Sequence, residues 1–438
     1  VNTYWCDWAW LRNGPAQGVL FEVDGGRITA VGFTRTPPEQ AERLPGMTLP
    51  GLANAHSHAF HRALRGWHPG ARGTFWTWRD QMYEVAAVLD PDSYYRLARG
   101  VYAEMALAGI TCVGEFHYLH HAPDGARYDD PNAMSQALAQ AALDVGIRIT
   151  LLDTCYLAGG FGQSLDGVQL RFSDHAATDW ADRIERFTVD GDRVRIGAAL
   201  HSVRAVPAEE IPEVTGWARK NKAPLHLHLS EQRAENEACL AAHGCTPTQL
   251  LESRGALGAD VTAVHATHLA ASDAALLGGS GTGVCLCPTT EADLADGIGP
   301  AAVLSVAGSP LSIGSDGHSV IDPLAEVQSV ESYLRLATET RGHFAAEELL
   351  AMATTAGHRS LGWSDAGWLG VGARADFVAV DLGSTRLAGV APEAVPAVAR
   401  VDDVRGVVAD GRRIVQHGKH HSIDAARELQ DAITALRA

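Results

Sequence analysis

Two histidines one residue apart, His56 and His58, close an apolar run that reads Met47-Thr48-Leu49-Pro50-Gly51-Leu52-Ala53-Asn54-Ala55. In a strand, residues i and i+2 point to the same face, so both imidazoles project together. Two imidazoles converging at a strand end are half of a divalent-metal site. The chain holds 20 His, so the pair carries weight only if further ligands fall at matching places. They do. In Pro224-Leu225-His226-Leu227-His228-Leu229-Ser230-Glu231, either histidine can serve as a third ligand. His228 is preferred, because it lies nearer the strand end and an acid, Glu231, follows three residues on; His226 is read as a buried, hydrogen-bonded core residue. Asp316, after Leu311-Ser312-Ile313-Gly314-Ser315, can close the shell with a carboxylate. Three His and one Asp suit Zn2+ or Fe2+. His265 ends Val261-Thr262-Ala263-Val264 without an i+2 partner and is read as orienting a water. Two rival clusters, His117, His120, His121 and His417, His420, His421, are read as surface histidines: the first does not share one face and the second lies in the tail.

These residues need strands to hold them. Apolar segments with polar ends recur at Gly109–Tyr118, Ile147–Tyr156, Val194–His201, Pro224–Glu231, Val261–His265, Thr282–Pro288 and Leu311–Asp316, and the His56 run makes eight. Helix-like stretches lie between them, among them Ser93–Leu107, Asn132–Asp144, Pro207–Lys220 and Pro323–Thr338. Strands alternating with helices argue a parallel sheet, and eight units argue a closed (β/α)8 barrel of the TIM type. Chemistry in such barrels collects at the C-terminal strand ends. His56, His58, Tyr118, His201, His228, His265 and Asp316 all fall there. The barrel is expected over 48–368. Residues 1–47 and 369–422 read as short strands and turns, such as Val19–Val23, Ile28–Gly32 and Ala375–Val380. Neither half suffices for a stable sheet alone, so they are expected to pair into one small β-sandwich domain. Residues 423–438 read as an amphipathic helix with Ser422 as N-cap, packed on the small domain or on a second subunit.

A chain of 438 residues, 46% hydrophobic, holds one large domain and a smaller one. A net charge of −17 argues against nucleic acid and anionic membranes as partners. No apolar stretch is long enough to span a bilayer, and the first residues lack a basic region followed by an apolar one. Seven widely spaced Cys fit a reducing compartment, so a cytoplasmic location is expected. Cys285-Leu286-Cys287 is spaced too closely for a zinc motif and is read as buried strand residues. Lys occurs only at 220, 222 and 419.

The run Leu49-Pro50-Gly51-Leu52-Ala53-Asn54-Ala55-His56-Ser57-His58, the His228/Glu231 element, the lone His265 and Gly314-Ser315-Asp316 together resemble the amidohydrolase superfamily over nearly the whole chain. Three further runs, His58–Gly66, Phe75–Tyr83 and Cys287–Gly297, resemble the branch that hydrolyses N-formimino-L-glutamate to N-formyl-L-glutamate and ammonia. Two-metal members of the superfamily bridge their ions with a carboxylated Lys from a mid-barrel strand. Lys220 and Lys222 precede the fifth strand and Lys419 is in the tail, so one metal is expected. The resemblance implies one Zn2+, or Fe2+, on His56, His58, His228 and Asp316, activating water. It also implies Asp316 as acceptor of the water proton, with His265 aligning the nucleophile, Glu231 carrying protons to nitrogen, and a homodimer. The substrate would be a dianionic amino acid. Arg204, three residues after His201, is the first choice for its carboxylate clamp, followed by Arg79 and Tyr118 from the family pattern, with His201 hydrogen-bonding it. His61 stands where relatives carry Gln; its charge would vary with pH. The alternatives are a one-metal deaminase of a heterocyclic amine and a non-catalytic barrel scaffold.

Overall fold

The computed structural model describes residues 1–67, 73, 75–188 and 191–437. The chain opens with β1 (Asn2–Leu11), β2 (Gly14–Asp24), β3 (Arg27–Phe33) and β4 (Glu42–Pro50). The β2–β3 connection is the pair Gly25-Gly26, at φ +56° and +78°. A two-residue hairpin with positive φ at both positions matches the strand twist, and glycine adopts it without a Cβ penalty. The barrel follows as β5 (Leu52–Ser57), β6 (Ile110–His117), β7 (Arg148–Cys155), β8 (Val194–Leu200), β9 (Leu225–Leu229), β10 (Val261–His265), β11 (Gly283–Leu286) and β12 (Leu311–Ile313). Every residue of β5, β6, β7, β9, β10 and β12 is buried, as expected of parallel strands covered by helices on one side and packed side chains on the other. Neighbours pair in chain order from β5 to β12. A parallel bridge between Ser57 and Asp316 closes the ring, with Asp316 N–H donating to His56 O at 3.0 Å and His58 N–H to Asp316 O at 3.3 Å. The closure therefore runs through residues of the candidate metal shell.

After the barrel come β13 (Phe377–Val380), β14 (Val404–Ala409), β15 (Arg412–Gln416) and β16 (Lys419–His420). They join β1–β4 in one mixed sheet of order β16-β15-β14-β13-β4-β1-β2-β3. The small β domain built from both chain ends is thus present, hydrogen-bonded as a single sheet, with β4 as the strand that links the two halves. The run from Met47 to Ala55 divides at Gly51, whose N–H donates to Asp376 O at 3.0 Å. A Cβ on Gly51 would lie 2.6 Å from Asp376 Cβ, so glycine is required where the chain crosses from one sheet to the other. Buried Arg148 of β7 holds the domains together by pairing with Asp376 and, at 2.8 Å, with Asp410.

The last helix, Ala425–Leu436, is capped by Asp424, which accepts from Arg427 N–H at 3.2 Å; Ser422 is not the cap. It packs on a barrel helix, Pro91–Leu107, where Glu428 pairs with Arg99 at 2.6 Å and Leu429 covers Gly100. None of the described helices is long and apolar enough to cross a membrane.

Candidate active site

The candidate side chains gather where barrel strands stop. His56 lies in β5 and His58 just beyond it; Tyr118 follows β6, His201 follows β8, His228 is penultimate in β9, and His265 is last in β10. Glu231 and Asp316 follow β9 and β12 closely. The backbone turns out of these strands through left-handed residues, with φ +49° at Ser230, +70° at His265, +51° at Ala266 and +41° at Asp316. Such conformations are uncommon for residues with a Cβ and concentrate at functional sites.

Three imidazoles and a carboxylate converge. His228 Nε2 lies 3.2 Å from His56 Nε2 and 3.3 Å from His58 Nε2, and Asp316 Oδ1 lies 3.4 Å from both His56 and His58 Nε2. The hydrogen bonds behind the rings fix the protons. His58 Nδ1 faces Phe116 O at 2.9 Å and His228 Nδ1 faces His201 O at 2.9 Å. A carbonyl only accepts, so each Nδ1 carries the hydrogen and each Nε2 presents a lone pair. Two lone pairs 3.3 Å apart, both buried, repel unless a cation lies between them. Burial lowers the pKa of all three histidines, which keeps them neutral. Burial alone would raise Asp316, but hydrogen bonding from His56 and the positive charge that the surrounding imidazoles, His265 above all, can carry hold it well below the usual carboxylate range. Neutral imidazoles and an ionised carboxylate are the donor set of a divalent cation, and the residues fit that group.

Beside this set, His265 Nε2 lies 3.8 Å from both Glu231 Oε1 and Asp316 Oδ2. Its Nδ1 faces Glu291 Oε1 at 3.3 Å. Burial opposes the imidazolium, but Glu231, Glu291 and Asp316 outweigh it and raise the His265 pKa well above its ordinary value. Burial pushes the Glu231 carboxyl up to about 7. Glu291 was missed in the sequence, although it lies inside the Cys287–Gly297 run; it opens the helix Pro288–Asp293 and also accepts Cys287 N–H at 2.9 Å. A second unforeseen group backs the shell. Buried Glu115 accepts from Ser57 Oγ at 2.7 Å and Ala59 N–H at 2.6 Å; His318 bridges Ser57 and Ser315, and Asn54 holds Ser315 from both its amide atoms.

One cavity is lined by His58, His61, Arg79, Tyr118, His201, Arg204, His228, Glu231, His265 and Asp316. His61 Nε2 lies 3.1 Å from Tyr118 Oη, and burial lowers its pKa well below the ordinary value, so the ring is neutral. The charge variation expected of His61 near neutral pH is therefore not supported. Arg79 Cζ lies 5.4 Å over the Tyr83 ring. Tyr83, Tyr156, Phe172 and Trp78 add an aromatic wall, of which only Tyr156, just beyond the end of β7, has a signal in strand spacing. His226 is buried away from the metal donors, with Nε2 2.8 Å from Ser360 O. Lys220, Lys222 and Lys419 are exposed, and none lines the cavity.

The surface reading of His117, His120 and His121 is wrong: all are buried. They back onto Asp153 and Asp174, with His120 Nε2 2.9 Å from Thr154 O and His121 Nε2 3.1 Å from Asp174 Oδ1. The His117, His120, Asp153 cluster is a poor cation site, because Arg183 already forks onto Asp153 at 2.6 and 2.9 Å. In the tail His417 and His421 are exposed, but His420 is buried against Val145 O.

Residues 47–414 match the amidohydrolase family. Formimidoylglutamate deiminase of Pseudomonas aeruginosa is 35% identical over 437 residues, covering 96% of each chain. The 8-oxoguanine deaminase of the same organism is 29% identical over 404 residues, covering 87% of each. An amidohydrolase from Brucella melitensis superposes at TM-score 0.93 with 32% identity over 100% of both chains. Atrazine chlorohydrolase from Arthrobacter aurescens TC1, complexed with zinc, shares the fold at TM-score 0.88 and 22% identity over 100% of both chains. On the family match and the full-length relatives, this chain belongs to the amidohydrolase family.

Proposed function

We propose that the chain is a deiminase that hydrolyses N-formimino-L-glutamate to N-formyl-L-glutamate and ammonia. One observation carries this reading: a metal-type donor set, a proton-carrying carboxylate and two arginines, Arg79 and Arg204, border a single cavity in a chain of net charge −17. The overall charge repels a dianion, so local guanidinium groups must recognise it. The arginine pair has no task in recognising a neutral ring. The 35% identity to a formimidoylglutamate deiminase supports the same substrate.

His56, His58, His228 and Asp316 would hold one divalent ion, with Zn2+ favoured by the donor set and by the zinc found in the chlorohydrolase relative. Such an ion supplies Lewis acidity that brings the pKa of water toward neutrality. Ionised Asp316 takes the first proton from the attacking water, and His265, with Nε2 3.8 Å from Asp316 Oδ2, aligns the nucleophile. The water oxygen bonds to the formimino carbon, and the bond from that carbon to the terminal nitrogen breaks. Glu231, with its carboxyl at about 7, is protonated often enough near neutral pH to deliver one proton to that nitrogen; as the C–N bond breaks, Asp316 passes on the proton it took and Glu231 takes back the hydroxyl proton, so ammonia leaves rather than an amide anion. Arg204, whose Nε lies 3.5 Å from Glu235 Oε2, grips one carboxylate with its guanidinium. Arg79 serves the second carboxylate, and Tyr118, His61 and His201 position the chain between them.

The aromatic wall of Tyr83, Tyr156, Phe172 and Trp78 favours a second reading, deamination of a heterocyclic amine stacked on those rings. Ammonia release from N-formimino-L-glutamate and from 8-oxoguanine, measured side by side, separates the two. Arg204→Ala is expected to raise KM for the dianion by about 10-fold or more, in line with the loss of a charge-assisted contact. An unchanged KM would remove Arg204 from the clamp.

A further inference from the structure

Glu235 is a buried acid that the proposed chemistry does not use. It sits in the first turn of the helix Arg233–His243 and is 2% exposed. One carboxylate oxygen, Oε2, lies 3.5 Å from Arg204 Nε; the other, Oε1, accepts Ser230 N–H at 3.4 Å. Arg204 belongs to two cavities. The inner one holds Glu231, His265 and Asp316; the outer one is lined by Glu235 and by Ala234, Ala238, Ala241 and Ala242 of the same helix. Glu235 does not line the inner cavity, so it cannot touch a substrate bound there. Its contacts toward that substrate are Arg204 and the Ser230 turn that presents Glu231, and its charge also helps to raise the Glu231 carboxyl.

The contacts differ in strength. An ion pair with a mostly buried guanidinium fixes a long, flexible side chain, and removing one partner leaves the other charge buried alone. The 3.4 Å bond to Ser230 N–H is about as long as the 3.5 Å approach to Arg204 Nε, but its donor is neutral. A guanidinium discriminates carboxylates by its planar fork, which is useful only when the plane is held. Glu235 approaches the Nε side of the fork at 3.5 Å, where its charge opposes rotation of the guanidinium plane. We propose that Glu235 is a positioning residue that orients Arg204 and thereby sets the affinity of the site for anionic substrates; this rests on the reading of Arg204 as the carboxylate clamp.

The test is a double-mutant cycle on the metal-loaded full chain, with Glu235→Gln, Arg204→Ala and the double variant. Glu235→Gln keeps the shape and an acceptor for Ser230 N–H but removes the charge. KM for N-formimino-L-glutamate and the inhibition constant of N-formyl-L-glutamate are both expected to rise about 10-fold, with kcat within about 3-fold of wild type. In the Arg204→Ala background the same substitution should change KM by less than about 2-fold. Unchanged constants overturn the proposal. So does a fall in kcat at constant KM, which would place the action on the Ser230–Glu231 turn, and so does an effect that persists without Arg204. If Arg204→Ala alone leaves KM unchanged, the clamp reading itself fails, and the proposal with it. Should Glu235→Gln not yield folded protein, Glu235→Asp, which keeps the charge but withdraws it, carries the same comparison with the same outcomes.

Discussion

At the scale of single residues, the proposed function divides the cavity between groups that would hold a metal and groups that would move protons, and the two kinds of substitution should separate. His228→Ala removes a metal donor, so metal content measured by atomic emission is expected to fall from about one ion per chain toward none, together with activity. Glu231→Gln should keep the metal and lose about 10²–10⁴-fold in kcat, because only proton delivery is removed. Loss of metal in Glu231→Gln would contradict the division. Glu291→Gln tests the partner behind His265: kcat is expected to fall about 10–100-fold with metal content unchanged. The strand-end histidines were legible because a strand's two-residue period and the barrel's geometry both predict where they point. Glu291 and Glu235 were not, since their contacts with His265 and Arg204 cross 26 and 31 positions and depend on how a helix starts.

At the scale of elements, the site depends on the seam where β12 meets β5. A Cβ on Gly314 would lie 2.7 Å from both the Cβ and the carbonyl oxygen of His56. Backbone cannot yield there without moving a metal donor, so Gly314→Ala is expected to lower both the thermal midpoint and the metal affinity. Normal metal binding in that variant would show that the seam tolerates displacement. A milder effect is expected at the last helix, where Asp424→Ala removes the N-cap and should cost about 1 kcal/mol in denaturant unfolding. All eight barrel strands were readable from apolar runs with polar ends, because buried parallel strands leave that pattern. Residues 1–47 were assigned to the small domain, but β1 was not named as a strand there, and Met47–Pro50 of β4 was read into the first barrel run. β4 runs almost directly into β5, and only the close approach at Gly51 shows that one apolar run serves two sheets.

At the scale of the molecule, a buried ionic junction ties the small sheet to the barrel. Arg148 is fully buried and pairs with Asp376 and Asp410, while Arg374 pairs with Asp410 at 2.9 Å and Asp365 at 3.1 Å. Arg148→Met leaves Asp376 buried without its partner and should destabilise the fold by about 3–5 kcal/mol. The pH dependence has a definite sign. Burial opposes ionisation of Asp376, but Arg148 outweighs it and depresses the carboxyl below its ordinary value. Its contribution is therefore fully present above the unfolded value, near about 4, and is lost as pH falls through the lower folded value. The gap in thermal midpoint between wild type and Asp376→Asn should narrow on acidification below about pH 4; a gap independent of pH would contradict the assignment. The acidic surface and the guanidinium-bearing cavity together make the central claim one about substrate charge. Its most direct test is ammonia release by the zinc-loaded protein from N-formimino-L-glutamate and from 8-oxoguanine in parallel. The account predicts rapid release from the formimino substrate, abolished in His228→Ala, and none from the purine. Release from the purine alone would contradict it and assign the aromatic wall, rather than the arginines, to substrate recognition.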